Sequence, residues 1–432
     1  MKVLLSAYSC QPNRGSEPGV GWNVATELSR SHHVWVITQP ENQPMIERAI
    51  AQKNQPNLHF VYYDLPYCLR WWRKELRGMR LHYYLWQLAI HPVVRKLHQQ
   101  FAFDVAQHIT FVKYSAPSLL CLLPIPFIWG PVGGGEDAPL PFRKQFPLRG
   151  KIFELLRNLA RALAERDPLV RLTARRATVA QATTPETARR LLSLGASSVR
   201  LCSEVGLSDD DINALAQPLP PRQPPTFISL GRLVSWKGFH LGLQAFAHAG
   251  LRQAEYWIVG DGPERARLQS LASNLRILDR VRFWGALPRQ DALSKLQQSI
   301  ALVHPSLHDS GGWVCVEAMA TGRPVICLDL GGPGTQVTHD TGIKIPAHTP
   351  GQAARDLAHA MVRFVNDPEL RSRALQSGQK LVREQYRWQT RCNSYSNLYR
   401  DVVDQWQGRF GARSPAADRC IADIEMEKQA LP

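Results

Sequence analysis

Short apolar runs recur along this chain, and most are closed by a turn that carries glycine or proline. Residues 3–8, 34–38, 58–62, 103–110, 179–183 and 199–205 read as strands, as do 227–230, 300–303, 324–328 and 342–345. Further strand-like runs begin at 127, 256 and 281. They are too short and too uniformly apolar for amphipathic helices. Between them lie segments with helical spacing, such as the one after Gly21 through Val24 and Leu28, and the stretches 350–364 and 368–386. Strands alternating with helical segments predict parallel sheets built from βαβ units. The most informative stretch is 301–334. An apolar run is followed by His308-Asp309-Ser310-Gly311-Gly312, a breaker-free segment 313–320 closed by Gly322, a second apolar run, and Gly331-Gly332-Pro333-Gly334. This predicts strand, glycine turn, helix, strand, glycine turn. Ligands of parallel sheets sit at the carboxyl ends of the strands, beside helix N-termini. Asp309 and Glu317 both fall there, one on the turn and one on the helix.

The proline-rich stretch 213–225 predicts a linker between an N-terminal domain (1–212) and a C-terminal domain (226–386). A helix then starts at Arg387-Trp388 and runs to about 406, and 407–432, without periodicity, reads as a disordered tail.

Composition changes this picture in two places. The chain of 432 residues has a formal net charge of +16, and its basic residues are clustered. Residues 70–96 hold 7 basic residues against 1 acidic, and 143–176 hold 10 against 3. In the first cluster aromatics alternate with cations. In the second, Ile152, Leu155, Leu156, Leu159 and Leu163 share one helical face, with Arg157 and Arg161 off it. Two readings stay open: an anionic membrane interface, or an apolar face on the core with solvated charges. No nucleic-acid recognition motif accompanies the charge, so nucleic acid is not an expected partner. The eight cysteines are scattered without metal spacing, which fits reduced thiols. The first apolar run is too short for a signal peptide and none is long enough to span a bilayer. The expected location is the cytoplasm, with a peripheral position on the inner face of the cytoplasmic membrane as the extension of the charge reading.

The chemistry-bearing residues follow the strand ends. After the first strand comes Gly15-Ser16-Glu17-Pro18-Gly19-Val20-Gly21, a loop in which Gly15 and Gly19 let backbone approach a phosphate or sugar, unless the glycines serve only the turn. The strand of 103–110 ends at His108. The run from 127 leads into Gly133-Gly134-Gly135-Glu136. After 227–230 come Gly231-Arg232 and Lys237-Gly238, two cations suited to a departing diphosphate. Gly260 and Leu287 close the next two units. Ser208-Asp209-Asp210-Asp211 contains Asp-x-Asp but reads as a helix N-cap with acids at the positive dipole end, not as a metal site.

PS-x-x-(acid)-x-G-x-x-x-x-x-EAMA-x-G-x-PVI over 305–326, with GR-x-x-x-x-KG at 231–238, resembles the signature of glycosyltransferase family 4, retaining enzymes of the glycosyl transferases group 1 type. The resemblance extends to about Asp404. It implies an α/β chain of GT-B fold, two Rossmann-like domains facing across a cleft, with the last helix crossing back to the N-terminal domain. It implies transfer of a sugar from a nucleotide diphosphate sugar to an acceptor hydroxyl of a saccharide or lipid-linked saccharide, with retention. The leaving phosphate takes the acceptor proton, and neither cofactor nor metal is needed. Arg232 and Lys237 would hold the diphosphate, Glu317 the ribose, and Asp309 with the Gly311 and Gly312 backbone the sugar. His108 would reach the donor sugar, Leu287 the base, and Gly15, Gly19, Gly231 and Gly260 would shape the donor side. Gly133, Gly134 and Glu136 would face the acceptor. The family usually has Glu where this chain has Asp309, and its second glycine turn often ends in an acid where this chain has Thr335. Two other readings fit the pattern less well: a nicotinamide-dependent sugar-modifying enzyme, opposed by the missing G-x-G-x-x-G, and a catalytically silent carbohydrate-binding relative.

Overall fold

The computed structural model describes residues 1–12, 14–52, 55–73, 78–217 and 222–410. Residues 411–432 of the expected tail, residues 218–221 of the expected linker and 74–77 of the first basic cluster lie outside the described residues.

Strands β1 (Lys2–Ala7), β2 (His33–Thr38), β3 (Leu58–Tyr62), β4 (Val105–Thr110), β5 (Phe127–Val132), β6 (Val179–Ala182) and β7 (Val199–Leu201) form one sheet in the order β3-β2-β1-β4-β5-β6-β7. Strands β8 (Thr226–Leu230), β9 (Glu255–Val259), β10 (Val281–Gly285), β11 (Ala301–His304), β12 (Val325–Leu328) and β13 (Gly342–Ile345) form a second, in the order β10-β9-β8-β11-β12-β13. The pairings are parallel throughout, among them β1 with β4 and β8 with β11. Helices cover both faces of each sheet, so β4, β5, β11 and β12 are buried along their whole length. Continuous Val, Ile and Leu runs are what such two-sided burial requires. In each sheet the winding reverses once, between β1 and β4 and between β8 and β11. A crevice opens at the carboxyl ends where the winding reverses.

Differences from the sequence reading are local. Strand β7 stops at Leu201, and the extended chain beyond it pairs with the far end of the second domain: Leu207 N–H donates to Tyr386 O at 2.7 Å, and Trp388 N–H to Leu207 O at 3.1 Å. The second glycine turn is a short helix, Gly331–Gln336, and Gly332 N–H donates to Asp309 O at 2.7 Å. The last helix, Trp388–Phe410, continues past 406. It returns to the first domain and buries Trp388, Cys392, Tyr395, Tyr399 and Val402 against β1, β2 and the Ser16–Leu28 helix. The i, i+3/i+4 spacing of these residues puts them on one face.

The Leu148–Ala164 helix closes one of the two open readings. Its apolar face does not pack on the core. Leu155 is 69% exposed, Leu156 60%, Leu159 57% and Leu163 63%. Arg161 is buried instead, donating to the Gly134 and Glu136 carbonyls and to Asp137 Oδ1 at 2.6 Å. No described helix is long and apolar enough to cross a membrane.

Candidate functional site

The two reversal points face each other, and the conspicuous side chains collect between them. At the end of β8 the chain turns through Gly231 (φ +144°), which puts Arg232 at the rim, exposed to solvent. A short turn, Ser235–Lys237, leads to Gly238 (φ +69°), the N-cap of the Phe239–Ala249 helix. A Cβ there would fall on the Pro305 carbonyl, so only glycine lets the β8 and β11 loops close on one another. That approach brings Lys237 Nζ onto Asp309 Oδ2, with His304 Nε2 3.1 Å from the same oxygen. Asp309 Oδ1 accepts from Gly312 N–H at 3.3 Å. Gly312 (φ +57°) is the N-cap of the Trp313–Ala320 helix, and a Cβ on it would lie 2.7 Å from Gln336 Oε1. Burial favours the neutral form of Asp309, but Lys237 and His304 outweigh it and hold the carboxyl well below its ordinary range.

One turn further in, Glu317 Oε1 is 2.9 Å from Arg289 Nη2, and Arg289 Nη1 is 3.0 Å from Asp211 Oδ1. Burial raises the pKa of Glu317 and Arg289 opposes the rise. Arg289 begins the Arg289–Gln298 helix and reaches across the cleft, where a Cβ on Gly15 would be 3.3 Å from its Nε. The sequence reading missed this residue. Its one local signal was its place, two residues beyond Leu287 at a strand–helix junction.

Together Gly15, Gly231, Arg232, Lys237, Leu287, Arg289, Asp309, Trp313 and Glu317 line a cavity of about 600 Å³. A second, of about 440 Å³, lies across the Lys237–Asp309 pair and is lined by Arg80, Lys113, Gly134, Glu136, Phe153, Arg157, Trp236, His308 and Ser310. The pair is therefore the common wall of two pockets, one from each side of the cleft. Glu136 is buried and accepts from Thr184 Oγ1 and Thr187 Oγ1 at 2.8 Å and from Ser310 Oγ at 2.6 Å. Gly134 N–H donates to the same Ser310 at 3.0 Å, and a Cβ on Gly133 would touch it at 3.0 Å. The Gly133–Glu136 loop thus clasps the residue next to Asp309.

Four expected residues stand elsewhere. His108 is fully buried, its Nε2 2.9 Å from Tyr83 Oη and 3.1 Å from Thr110 O, because the Met79–Phe101 helix lies over the end of β4. Burial pushes its pKa down to about 3, so it is neutral and faces the core rather than the cleft. Gly19 sits within the Ser16–Leu28 helix, where a Cβ would strike the Arg14 carbonyl. Gly260 (φ +136°) abuts the Gly231 carbonyl in the same way. Both shape backbone and neither lines the cavity. Gly311 lies behind the wall, against Glu204; a Cβ on it would be 2.5 Å from Glu204 Oε1. Asp-x-Asp at 209–211 is the N-terminus of a helix: Ser208 Oγ accepts from Asp211 N–H at 3.1 Å, and Asp209 pairs with Arg387 at 2.7 Å.

Glu204, which the sequence reading did not single out, has its pKa raised to about 8 by burial and by the carboxylates of Glu17, Glu136 and Asp309. A carboxyl with a raised folded pKa stabilises the fold fully below its unfolded value and loses that contribution as pH rises through the folded one. Glu204→Gln is therefore expected to leave the thermal midpoint unchanged near pH 4 and to raise it above wild type at pH 8 to 9. Parallel melting curves for the two proteins across that range would contradict the assignment.

Comparison with known proteins bears on the fold. Residues 211–381 match the family model of the glycosyl transferases group 1. The matched stretch falls mainly on the second domain. Among curated relatives, the lipopolysaccharide core biosynthesis glycosyltransferase LpsD of Rhizobium meliloti is 31% identical over 195 residues, 43% of this chain and 54% of that protein. The chain thus spans about half the length of the curated relatives it matches. Solved structures align over both domains: sucrose-phosphate synthase from Thermosynechococcus elongatus at a TM-score of 0.63 and 18% identity, covering 94% of this chain and 99% of that one, and Anabaena HepE in complex with UDP at 0.60 and 16%, covering 93% and 100%. The fold of this chain is GT-B.

Proposed function

We propose that the protein is a retaining glycosyltransferase of hexosyl type that moves a sugar from a nucleotide diphosphate sugar to an acceptor hydroxyl in polysaccharide, lipopolysaccharide or glycolipid synthesis. The observation that carries this reading is the cavity of about 600 Å³ at facing reversal points, lined by the cations Arg232 and Lys237 and the carboxylates Asp309 and Glu317. Anabaena HepE, which shares the fold, was solved in complex with UDP, and this makes uridine diphosphate sugars the first donors to try.

In this reading the diphosphate enters beside Arg232 and draws Lys237 away from Asp309. The freed carboxylate, still beside His304 Nε2, then accepts from hydroxyls of the donor sugar. Glu317 exchanges Arg289 for the ribose hydroxyls. The acceptor comes from the pocket of Glu136, Arg157 and Trp236, across the same wall. The anomeric carbon–oxygen bond to phosphate breaks as the acceptor oxygen bonds on the same face, and the acceptor proton passes to the leaving phosphate oxygen. Charge builds on the diphosphate, where the Arg232 guanidinium and the freed Lys237 ammonium lower the barrier. Binding donor and acceptor on opposite sides of one wall supplies the orientation.

Release of nucleoside diphosphate from a panel of nucleotide sugars, with and without saccharide acceptors, tests the reading. Turnover is expected with at least one donor and is expected to survive a chelator, because the two cations serve the phosphate. No nucleoside diphosphate from any donor would favour the silent carbohydrate-binding relative. Loss of activity in the chelator, restored by Mg²⁺ or Mn²⁺, would overturn the charge assignment.

A further inference from the structure

The Leu148–Ala164 helix is built inside out. Its outward face carries Leu148, Ile152, Leu155, Leu156, Leu159 and Leu163, between 48% and 73% exposed. At 1.5 Å per residue this apolar row is about 22 Å long. A row of that size on a soluble surface marks a contact. Its border decides the partner. The exposed charges around it are Lys144, Arg149, Lys151 and Arg166. The three carboxylates of 143–176 are all held by partners away from the leucines: Glu154 Oε1 lies 3.0 Å from His308 Nε2, Glu165 pairs with Arg190 at 2.5 Å, and Asp167 Oδ2 accepts from Tyr84 Oη at 2.7 Å. An apolar stripe bordered by cations alone complements an anionic lipid surface. Two copies of the same face would bring like charges together.

The inward face holds the cleft. The Phe153 ring stacks on Trp236 at 4.6 Å, and Trp236 stacks on His308 at 5.4 Å. These are the neighbours of Lys237 and Asp309. Phe153, Arg157 and Ala160 also line the second pocket. We infer that this helix lies in the headgroup layer of an anionic bilayer and so presents the second pocket to the membrane surface, where a lipid-linked saccharide is the acceptor. The acceptor clause rests on the transferase reading; the docking clause does not.

Flotation of the full chain with vesicles separates the two. The protein is expected to float with phosphatidylcholine vesicles containing about one-third phosphatidylglycerol and much less with phosphatidylcholine alone. Leu155→Glu/Leu159→Glu places charges at exposed positions, so its melting temperature is expected to match wild type while vesicle binding falls roughly tenfold or more. Wild type that stays unbound, or a folded double variant that floats equally well, would overturn the docking. So would a wild-type dimer in sedimentation that the double variant dissolves, since a second copy would then cover the leucines. Flotation does not read sugar transfer, so failure of the transferase reading leaves its result intact. If docking holds, lipid-linked acceptors are expected to outperform the same saccharides free in solution, and equal rates would remove the acceptor clause.

Discussion

Arg232→Ala is expected to lower kcat for sugar transfer by roughly a hundredfold or more, the loss of about 3 kcal/mol that follows removal of a donor aimed at a developing oxyanion. Its melting temperature should stay close to wild type. Arg232 is exposed at the cavity rim, and no ion pair involving it is present among the described residues. Its removal therefore costs the fold little, and the kinetic effect is cleanly assigned. Lys237→Ala is a different experiment. It also removes the charged partner of Asp309 and leaves that carboxylate with His304 and the Gly312 N–H. The pair is partly buried, so this variant is expected to melt somewhat earlier as well as to turn over slowly. Arg232→Ala with wild-type turnover, or Lys237→Ala with wild-type stability, would mean that the wall is not built as described.

The second large effect concerns the two carboxylates, which are expected to separate by function. Asp309→Asn should lose most transfer, roughly ten- to a hundredfold, because an amide cannot replace a charged acceptor in a site arranged around Lys237 and His304. Free nucleoside diphosphate should bind this variant as well as wild type or more tightly, since Lys237 no longer has to leave a carboxylate. Glu317→Gln should instead weaken nucleoside diphosphate binding, as the ribose hydroxyls lose their acceptor. Calorimetric titration with UDP and a steady-state assay on the same two variants check both halves. Equal weakening of UDP binding by both substitutions would show that they do not serve different parts of the donor. Having Asp where the family usually has Glu shortens the reach by one methylene. Gly311 packs against Glu204 and Gly312 against Gln336, so the backbone after Ser310 is held where it is.

Much of this was legible in the chain. Strands of parallel sheets buried on both faces are written as continuous Val, Ile and Leu runs, and the run at 301–304 needs no partner in view to be recognised. The glycine at 238 and the glycines at 311 and 312 mark where the backbone must turn or approach closely, and those are the places where the site forms. The spacing of Asp309 and Glu317 follows from a turn leading into a helix, both local features.

What the tertiary structure alone decided are contacts between segments far apart in sequence. Nothing near Glu317 announces that Arg289 occupies it, or that Asp211 holds the other side of the same guanidinium. His108 ends its strand as a ligand residue would, yet the helix that covers it begins at Met79, and only packing puts Tyr83 over the ring. Glu204 became a perturbed carboxyl because it is buried and because Glu17, Glu136 and Asp309 arrive from three distant segments. The Leu148–Ala164 helix makes the point most directly. Periodicity establishes that leucines share one face and arginines another, but it is silent on which face looks inward. Here the Gly134 and Glu136 carbonyls and Asp137 supply partners for Arg161, the buried charge is satisfied, and the leucines are left outside.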